Sequence, residues 1–198
     1  MSSVALLGGG LDPISLHHEM IVDKVKSNTD MPTWIMPCYG HLFSKGSRLT
    51  APEHRLNMAN ITAKHRKDDF FVPFDWEIKH KHAGSMYETI AQLKLHYPDL
   101  LFHIVIGMDN ANVIKTKWDR GDLLIQENPF IVFERDGVEK TADWFLQAPH
   151  QIFTMNYNLS STAIREAIQN GNYEFAKSHV NPAVWEYITV NKLYGYKA

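Results

Sequence analysis

Three segments carry residue types that could handle a phosphorylated ligand. The first is Gly8-Gly9-Gly10-Leu11-Asp12-Pro13-Ile14-Ser15-Leu16-His17-His18. Glycine has no Cβ, so three in a row let the main chain approach a ligand closely. A helix starting after them offers free N–H groups and the positive end of its dipole, which suits phosphate. His17 and His18 would lie in its first turn, within reach of the same ligand. A tight strand–helix turn with two surface histidines has the same sequence, and glycine content alone does not choose between them. The spacing matches neither G-x-G-x-x-G nor G-x-x-x-x-G-K-[ST], which excludes a dinucleotide fingerprint and a P-loop.

The second segment is Ile106-Gly107-Met108-Asp109-Asn110. A carboxylate just beyond a strand end is placed to accept ribose hydroxyl protons. A helix N-cap by Asp109 is the plainer alternative. Nine residues on, Trp118 stands among Lys115, Thr116, Lys117, Asp119 and Arg120. It reads either as a stacking platform for a flat ring or as a half-buried anchor. The third segment is Asn158-Leu159-Ser160-Ser161-Thr162-Ala163-Ile164-Arg165. Hydroxyls at a helix start with an Arg one turn inside form a phosphate cradle. An ordinary capped helix with an exposed Arg165 is the plainer reading. His54 and His80-Lys81-His82 lack the cysteine or carboxylate set of a metal site and read as solvated loop residues.

These segments need a scaffold. Short apolar runs at 4–7, 33–36, 70–72, 101–106, 130–133 and 151–153 read as strands buried on both faces. Helix-like stretches at 15–28, 52–66, 85–97, 161–170 and 182–192 lie between and after them. Pro52-Glu53 and Asn181-Pro182 are helix starts, and Gly171 is a helix stop. The alternation predicts a Rossmann-like α/β fold, a parallel sheet with helices on both faces. Ligands of such sheets bind beyond the carboxyl ends of the strands. The expected organisation is a single domain over 1–198, with a core at 1–155 and a small C-terminal helical part at 156–198.

Composition sets the outer bounds. The chain has 198 residues, 44% hydrophobic and 21% charged, with a net charge of −2. That excludes a mostly disordered chain and a global basic field for long nucleic acid. Cys38 is the single cysteine, so no internal disulfide forms and a reducing, cytoplasmic setting is expected. No apolar run is long enough to span a membrane, and no signal peptide is apparent at Met1-Ser2-Ser3-Val4.

Taken together, in this order, the three segments resemble the nicotinamide/nicotinate mononucleotide adenylyltransferase family, a nucleotidyltransferase group with a Rossmann-like fold. Its opening motif, G-G-[ST]-F-D-P-x-[HT]-x-G-H, is similar to Gly8 through His18. Its I-G-x-D motif with a following Trp is similar to Ile106–Asp109 and Trp118. Its [SN]-[SA]-[ST]-x-[IL]-R motif is similar to Ser160–Arg165. The stretch Lys45–Met58 and the tail Tyr187–Tyr194 resemble further family blocks. Three positions depart: Ser15 stands for His or Thr, His17 for Gly, and Leu11 for Phe.

The resemblance implies transfer of an adenylyl group from ATP to NMN or nicotinate mononucleotide, releasing pyrophosphate. It implies His18, Ser15 and Arg165 as catalytic residues. Gly8, Gly9, Gly10, His18, Lys45, Asp109, Ser160, Ser161, Thr162 and Arg165 would bind ATP. Gly9, Lys45, Trp76, Thr89 and Trp118 would bind the mononucleotide, with His18 donating to the reacting phosphates, protonated or as a hydrogen-bond donor. Core packing is the alternative for Trp76. Mg²⁺ would enter with ATP, held by phosphate oxygens, with no dedicated protein metal site. A homo-oligomer is compatible with the resemblance. A sister nucleotidyltransferase with another phosphorylated acceptor and a nucleotide-binding regulator without catalysis are the rivals. The Pro37–Phe43 loop differs from the P-x-x-x-P-P-H-K-type loop of many bacterial nicotinate-preferring members, which leans towards the amide or towards dual use.

Overall fold

The protein is represented by a computed structural model that describes residues 2–40, 49–146, 148–155 and 159–197. Six strands form one parallel sheet: β1 (Ser2–Gly9), β2 (Thr33–Pro37), β3 (Phe71–Pro73), β4 (Leu100–Gly107), β5 (Phe130–Phe133) and β6 (His150–Phe153). Their spatial order is β3-β2-β1-β4-β5-β6. The chain winds outward from β1 in one direction, then returns to β4 and winds outward in the other. The direction reverses between β1 and β4, and ligands bind at such a switch point.

The sheet is buried on both faces, which is why its strands read as continuous apolar runs. Successive side chains alternate between faces. Ala5 and Leu7 join Ile35, Phe71, Val105 and Ile131 in one core. Val4 and Leu6 join Met36, Phe102, Ile104, Phe130 and Val132 in the other. The first core is covered by α1 (Leu16–Thr29) and α2 (Pro52–Arg66). The second is covered by α3 (Trp76–His80), α4 (Met86–His96), α5 (Met108–Ala111), α6 (Ile114–Lys117) and α7 (Gly121–Glu127).

The C-terminal helices α8 (Ser161–Gln169), α9 (Tyr173–Ser178) and α10 (Pro182–Val190) return to the first face. Ile164, Ile168, Val184 and Ile188 are 0–1% exposed within the same core as Ala5 and Ile35. The C-terminal part therefore shares the main core and brings residues 160–165 back to the turn after β1.

All six expected strands form, within one or two residues. The sequence missed α3, α5, α6, α7 and α9, each of four to seven residues. Pieces this short carry too few turns to show a helical period. The placement of His54 and His80 in loops is corrected: His54 is on α2, its Nδ1 2.8 Å from the Tyr187 hydroxyl, and His80, exposed as expected, is on α3 with its ring centroid 3.9 Å from that of Trp76. Among the described residues no helix is long and apolar enough to cross a membrane.

Candidate active site

A cavity of about 650 Å³ opens at the carboxyl ends of the strands around the switch point, ample for a small-molecule ligand. Gly8, Gly9, Gly10 and Leu11 form its floor, with His17 and His18 beside them. One half is walled by Cys38, Gly40, Glu77, Gly84, Ser85, Met86, Trp118 and Asp119. The other is walled by Ile106, Gly107, Asn110, Phe133, Glu134 and Arg135. The glycine turn and Trp118, more than a hundred residues apart, thus share one space.

Local forces shape each wall. Gly9 has φ of +152°, where a side chain is disfavoured. Among the described residues, the N–H groups of Gly10 and Leu11 take no part in the internal hydrogen bonds, so this turn leaves donors for a ligand. A Cβ at Gly107 would lie 2.5 Å from Asp109 Oδ1 and 2.9 Å from Arg135 Nε, so a side chain there would displace one of these two groups. That space lets Arg135 pair with Asp109 at 3.3 Å. Gly107, not Asp109, is the N-cap of α5, which removes the N-cap alternative for Asp109. Asp109 falls between the cavity residues Gly107 and Asn110 but does not itself line the cavity, and its carboxylate is held by Arg135.

Ser15 caps α1, and His18 occupies its third position. The Ser15 main-chain N–H donates to His18 Nδ1 at 3.1 Å, and the Ser15 hydroxyl lies 2.9 Å from the same nitrogen. His18 thus fills the place that Glu or Gln takes in a capping box. An Nδ1 that accepts leaves the proton on Nε2, so the neutral ring is a donor. Burial, with the charges of His17 and Arg135, pushes its pKa down to about 3. In the free protein His18 is therefore a neutral donor. Ser15 is 1% exposed and does not line the cavity; it acts by orienting His18.

Glu77 has the opposite perturbation. Burial raises its carboxyl to about 7, against the Tyr39 N–H, the Thr89 hydroxyl and the Arg55 charge, which pull it down. The signs of the two shifts oppose. His18 contributes stability that is full above its ordinary 6.5 and is lost as pH falls toward 3. Glu77 contributes stability that is full below its ordinary 4.5 and is lost as pH rises through 7. Urea unfolding of Glu77→Gln beside wild type isolates the second. On lowering the pH from 7 to 4.5, wild type should gain stability relative to the variant, and a constant difference would refute the shift.

The third segment reaches the first through hydrogen bonds. Ser160 caps α8, accepting the Ala163 N–H at 3.2 Å. The Ser161 hydroxyl donates to the Pro13 carbonyl at 2.9 Å, and Arg165 donates to the Asp12 carbonyl and to Thr162. Thr162 and Arg165 line a second cavity of about 640 Å³ with Thr50, Gln169 and Tyr194. They do not line the first. Asp12 ties the two together: it is 2% exposed, and its carboxyl accepts from the Tyr194 hydroxyl at 2.6 Å and the Thr50 N–H at 2.9 Å. Tyr194→Phe strips one donor from this buried carboxyl, at a cost of about 1–3 kcal/mol. For a domain of this size that lowers Tm by roughly 2–12 °C. A melting curve matching wild type would show that the bond contributes nothing.

Trp118 is half-buried, packed on the second core as the anchor reading expects, and it also lines the cavity. Trp76 and Thr89, expected beside the mononucleotide, do not line the cavity, and Trp76 follows its core-packing alternative. Trp76 is 7% exposed and packs on His80 and His96. Thr89 is fully buried and donates to Glu77 Oε1 at 3.3 Å. Lys45 lies outside the described residues, as does Asn158. Sequence reasoning missed Glu77 and Arg135. Both follow a strand, and the strand-end rule applied to β3 and β5 points to them. Among the described residues no group of three or more His, Cys, Asp or Glu could hold a metal ion.

The 3-2-1-4-5-6 sheet, with a glycine turn and a helix start at its switch point, defines a Rossmann-like nucleotide-binding α/β protein. Residues 6–167 match the model of the cytidylyltransferase-like family, and the chain belongs to that family. It is 28% identical to a probable nicotinate-nucleotide adenylyltransferase of Oceanobacillus iheyensis, over 99% of this chain and 98% of that one. A relative of the same description from Shouchella clausii is also 28% identical, over 98% of each chain. Among solved structures, it is similar to Plasmodium falciparum nicotinic acid mononucleotide adenylyltransferase complexed with NaAD. The TM-score is 0.86 at 24% identity, covering 100% of this chain and 99% of that one.

Proposed function

We propose that this protein transfers the adenylyl group of ATP to nicotinate mononucleotide, forming the deamido dinucleotide and pyrophosphate. The carrying observation is the single cavity that gathers the glycine turn, His18 and Trp118 at the sheet's switch point. The names of the relatives and of the structural neighbour support the same reaction.

A phosphate oxygen of the mononucleotide attacks the α-phosphorus of ATP in line. The new P–O bond forms as the α–β bridging bond breaks, and pyrophosphate leaves. The nucleophile is already anionic, so no strong base is needed. Rate comes from alignment and from stabilising charge spread over the phosphates. The His18 Nε2–H donates to the reacting phosphates, with Ser15 holding the ring. The N–H groups of the glycine turn face the same charge. Thr162 and Arg165, which line the second cavity beyond Asp12, would receive the leaving phosphates there, with Ser160 and Ser161 forming and anchoring the helix start behind them. Lys45 is a further phosphate contact. Asp109, oriented by Arg135, accepts from the adenosine ribose, and Trp118 stacks on the pyridine. Among the described residues no carboxylate cluster stands to hold Mg²⁺, so the ion would arrive with ATP, held by phosphate oxygens. The ion would neutralise phosphate charge.

The acid replaces the amide towards which the loop had leaned. The first turn of α4 lines the cavity on the Trp118 side through Ser85 and Met86, and its positive end is met by the Glu88 carboxylate of the capping box. Glu77, raised to about 7, is about half protonated at neutral pH, which lessens its repulsion of a carboxylate substrate. The test is dinucleotide and pyrophosphate formation from ATP and Mg²⁺ with nicotinate mononucleotide, NMN or phosphopantetheine. Faster turnover of nicotinate mononucleotide is expected. Turnover of phosphopantetheine alone, or ATP binding with no pyrophosphate from any acceptor, would overturn the proposal.

A further inference from the structure

Arg55 is 0% exposed, yet among the described residues no carboxylate lies within ion-pair distance of it. Its guanidinium is held by neutral groups from three loops. Nε donates to the Thr50 carbonyl at 2.9 Å and Nη1 to the Gly10 carbonyl at 3.0 Å. Nη1 also lies 3.8 Å from Cys38 Sγ, and Nη2 donates to the Tyr39 carbonyl at 3.4 Å. A buried charge is costly unless it is compensated, and an apolar side chain of similar volume would fill the space more cheaply. Packing alone does not account for it.

Glu77 stands on the other side of the same segment. Its Oε2 accepts the Tyr39 N–H at 3.1 Å, and its Oε1 accepts the Thr89 hydroxyl. It is 6% exposed. The two charged groups do not touch; the main chain of Tyr39 runs between them. The N–H of that residue goes to the carboxyl and its C=O to the guanidinium. The preceding residue is fixed as well, because the Cys38 N–H donates to the Gly9 carbonyl at 2.8 Å. Cys38 and Gly40, on either side of Tyr39, both line the Trp118 half of the cavity.

We propose that Arg55 and Glu77 are positioning residues that clamp Cys38–Gly40 from opposite sides and thereby set the shape of the mononucleotide half of the cavity. The identity of the ligand in that half rests on the proposed adenylyl transfer. Thr89 acts in the same device, holding the Glu77 carboxyl at the angle that meets Tyr39.

The test compares wild type, Glu77→Ala, Glu77→Gln and Arg55→Lys. Two quantities are read: KM for nicotinate mononucleotide against KM for ATP, and hydrogen exchange at the Tyr39 amide. Loss of one buried hydrogen bond in Glu77→Ala should raise the mononucleotide KM about tenfold and leave the ATP KM within about twofold. The Tyr39 amide should exchange about tenfold faster, with the Ile35 amide unchanged. Glu77→Gln still offers an oxygen to Tyr39 and should recover most of both. Arg55→Lys keeps the charge but not the three-way fork, and should also raise the mononucleotide KM alone. Equal rises in both KM values, or a Tyr39 amide as protected as in wild type, would overturn the clamp. A wild type silent toward every mononucleotide would overturn the proposed reaction instead. The exchange measurement would still decide the clamp.

Discussion

Replacing His18 by Ala should lower kcat for adenylyl transfer by about 10²–10³-fold, the loss typical of one preorganised donor to a developing anion. The geometry makes the prediction specific. His18 Nδ1 is committed to the Ser15 N–H, so Nε2–H is the one donor the ring has left. The neutral ring follows from a pKa near 3. Across pH 5–8 in the free protein, the His18 ring signals in NMR should therefore show no titration step. Phosphates would favour the imidazolium and raise its pKa. The same side chain also caps α1, so His18→Ala should cost about 0.5–2 kcal/mol of stability, read as a lower Tm. His18→Gln separates the two roles. Its amide oxygen can accept the Ser15 N–H, restoring the cap. Its kcat should stay well below wild type, because the remaining N–H₂ sits at a different place from Nε2. Wild-type turnover in His18→Ala would remove His18 from the chemistry.

Replacing Trp118 by Ala should raise KM for the mononucleotide about 5- to 150-fold. That range corresponds to roughly 1–3 kcal/mol for aromatic stacking on a base. The ATP KM should change little, because the opposite half of the cavity is built from β4 and β5. Some of the loss would come from packing, since Trp118 also rests on the second core. Trp118→Phe distinguishes the two, keeping a flat face with less area, and should recover most of the KM. An unchanged mononucleotide KM in Trp118→Ala would place the pyridine elsewhere.

The parallel α/β fold was legible because each strand is buried on both faces. Ala5 and Leu7 serve one core and Val4 and Leu6 the other, so the apolar runs are unbroken. The glycine turn, Asp109 and Trp118 were legible as residues that follow strands or stand out from a polar setting. Their roles stayed ambiguous, since a cap, an anchor and a ligand contact use the same residue types. Tertiary structure decided the cap and packing alternatives. Gly107 took the cap of α5, which left Asp109 to Arg135, twenty-six residues away in sequence. Trp76 went into the core while Trp118 reached the cavity, a choice made by the packing of α3 and α4.

Glu77, Arg55 and Tyr194 show the deeper limit. Each acts through main-chain or buried groups far along the chain: Tyr39 for Glu77, Gly10 for Arg55, and Asp12 for Tyr194. No local period encodes such partners, because hydrogen bonds of this kind depend on where loops meet after the sheet has formed. The protonation state of His18 was out of reach for the same reason. Residue type supplied an imidazole; burial and the Ser15 N–H, which exist only in the folded chain, made it a neutral donor with one free nitrogen.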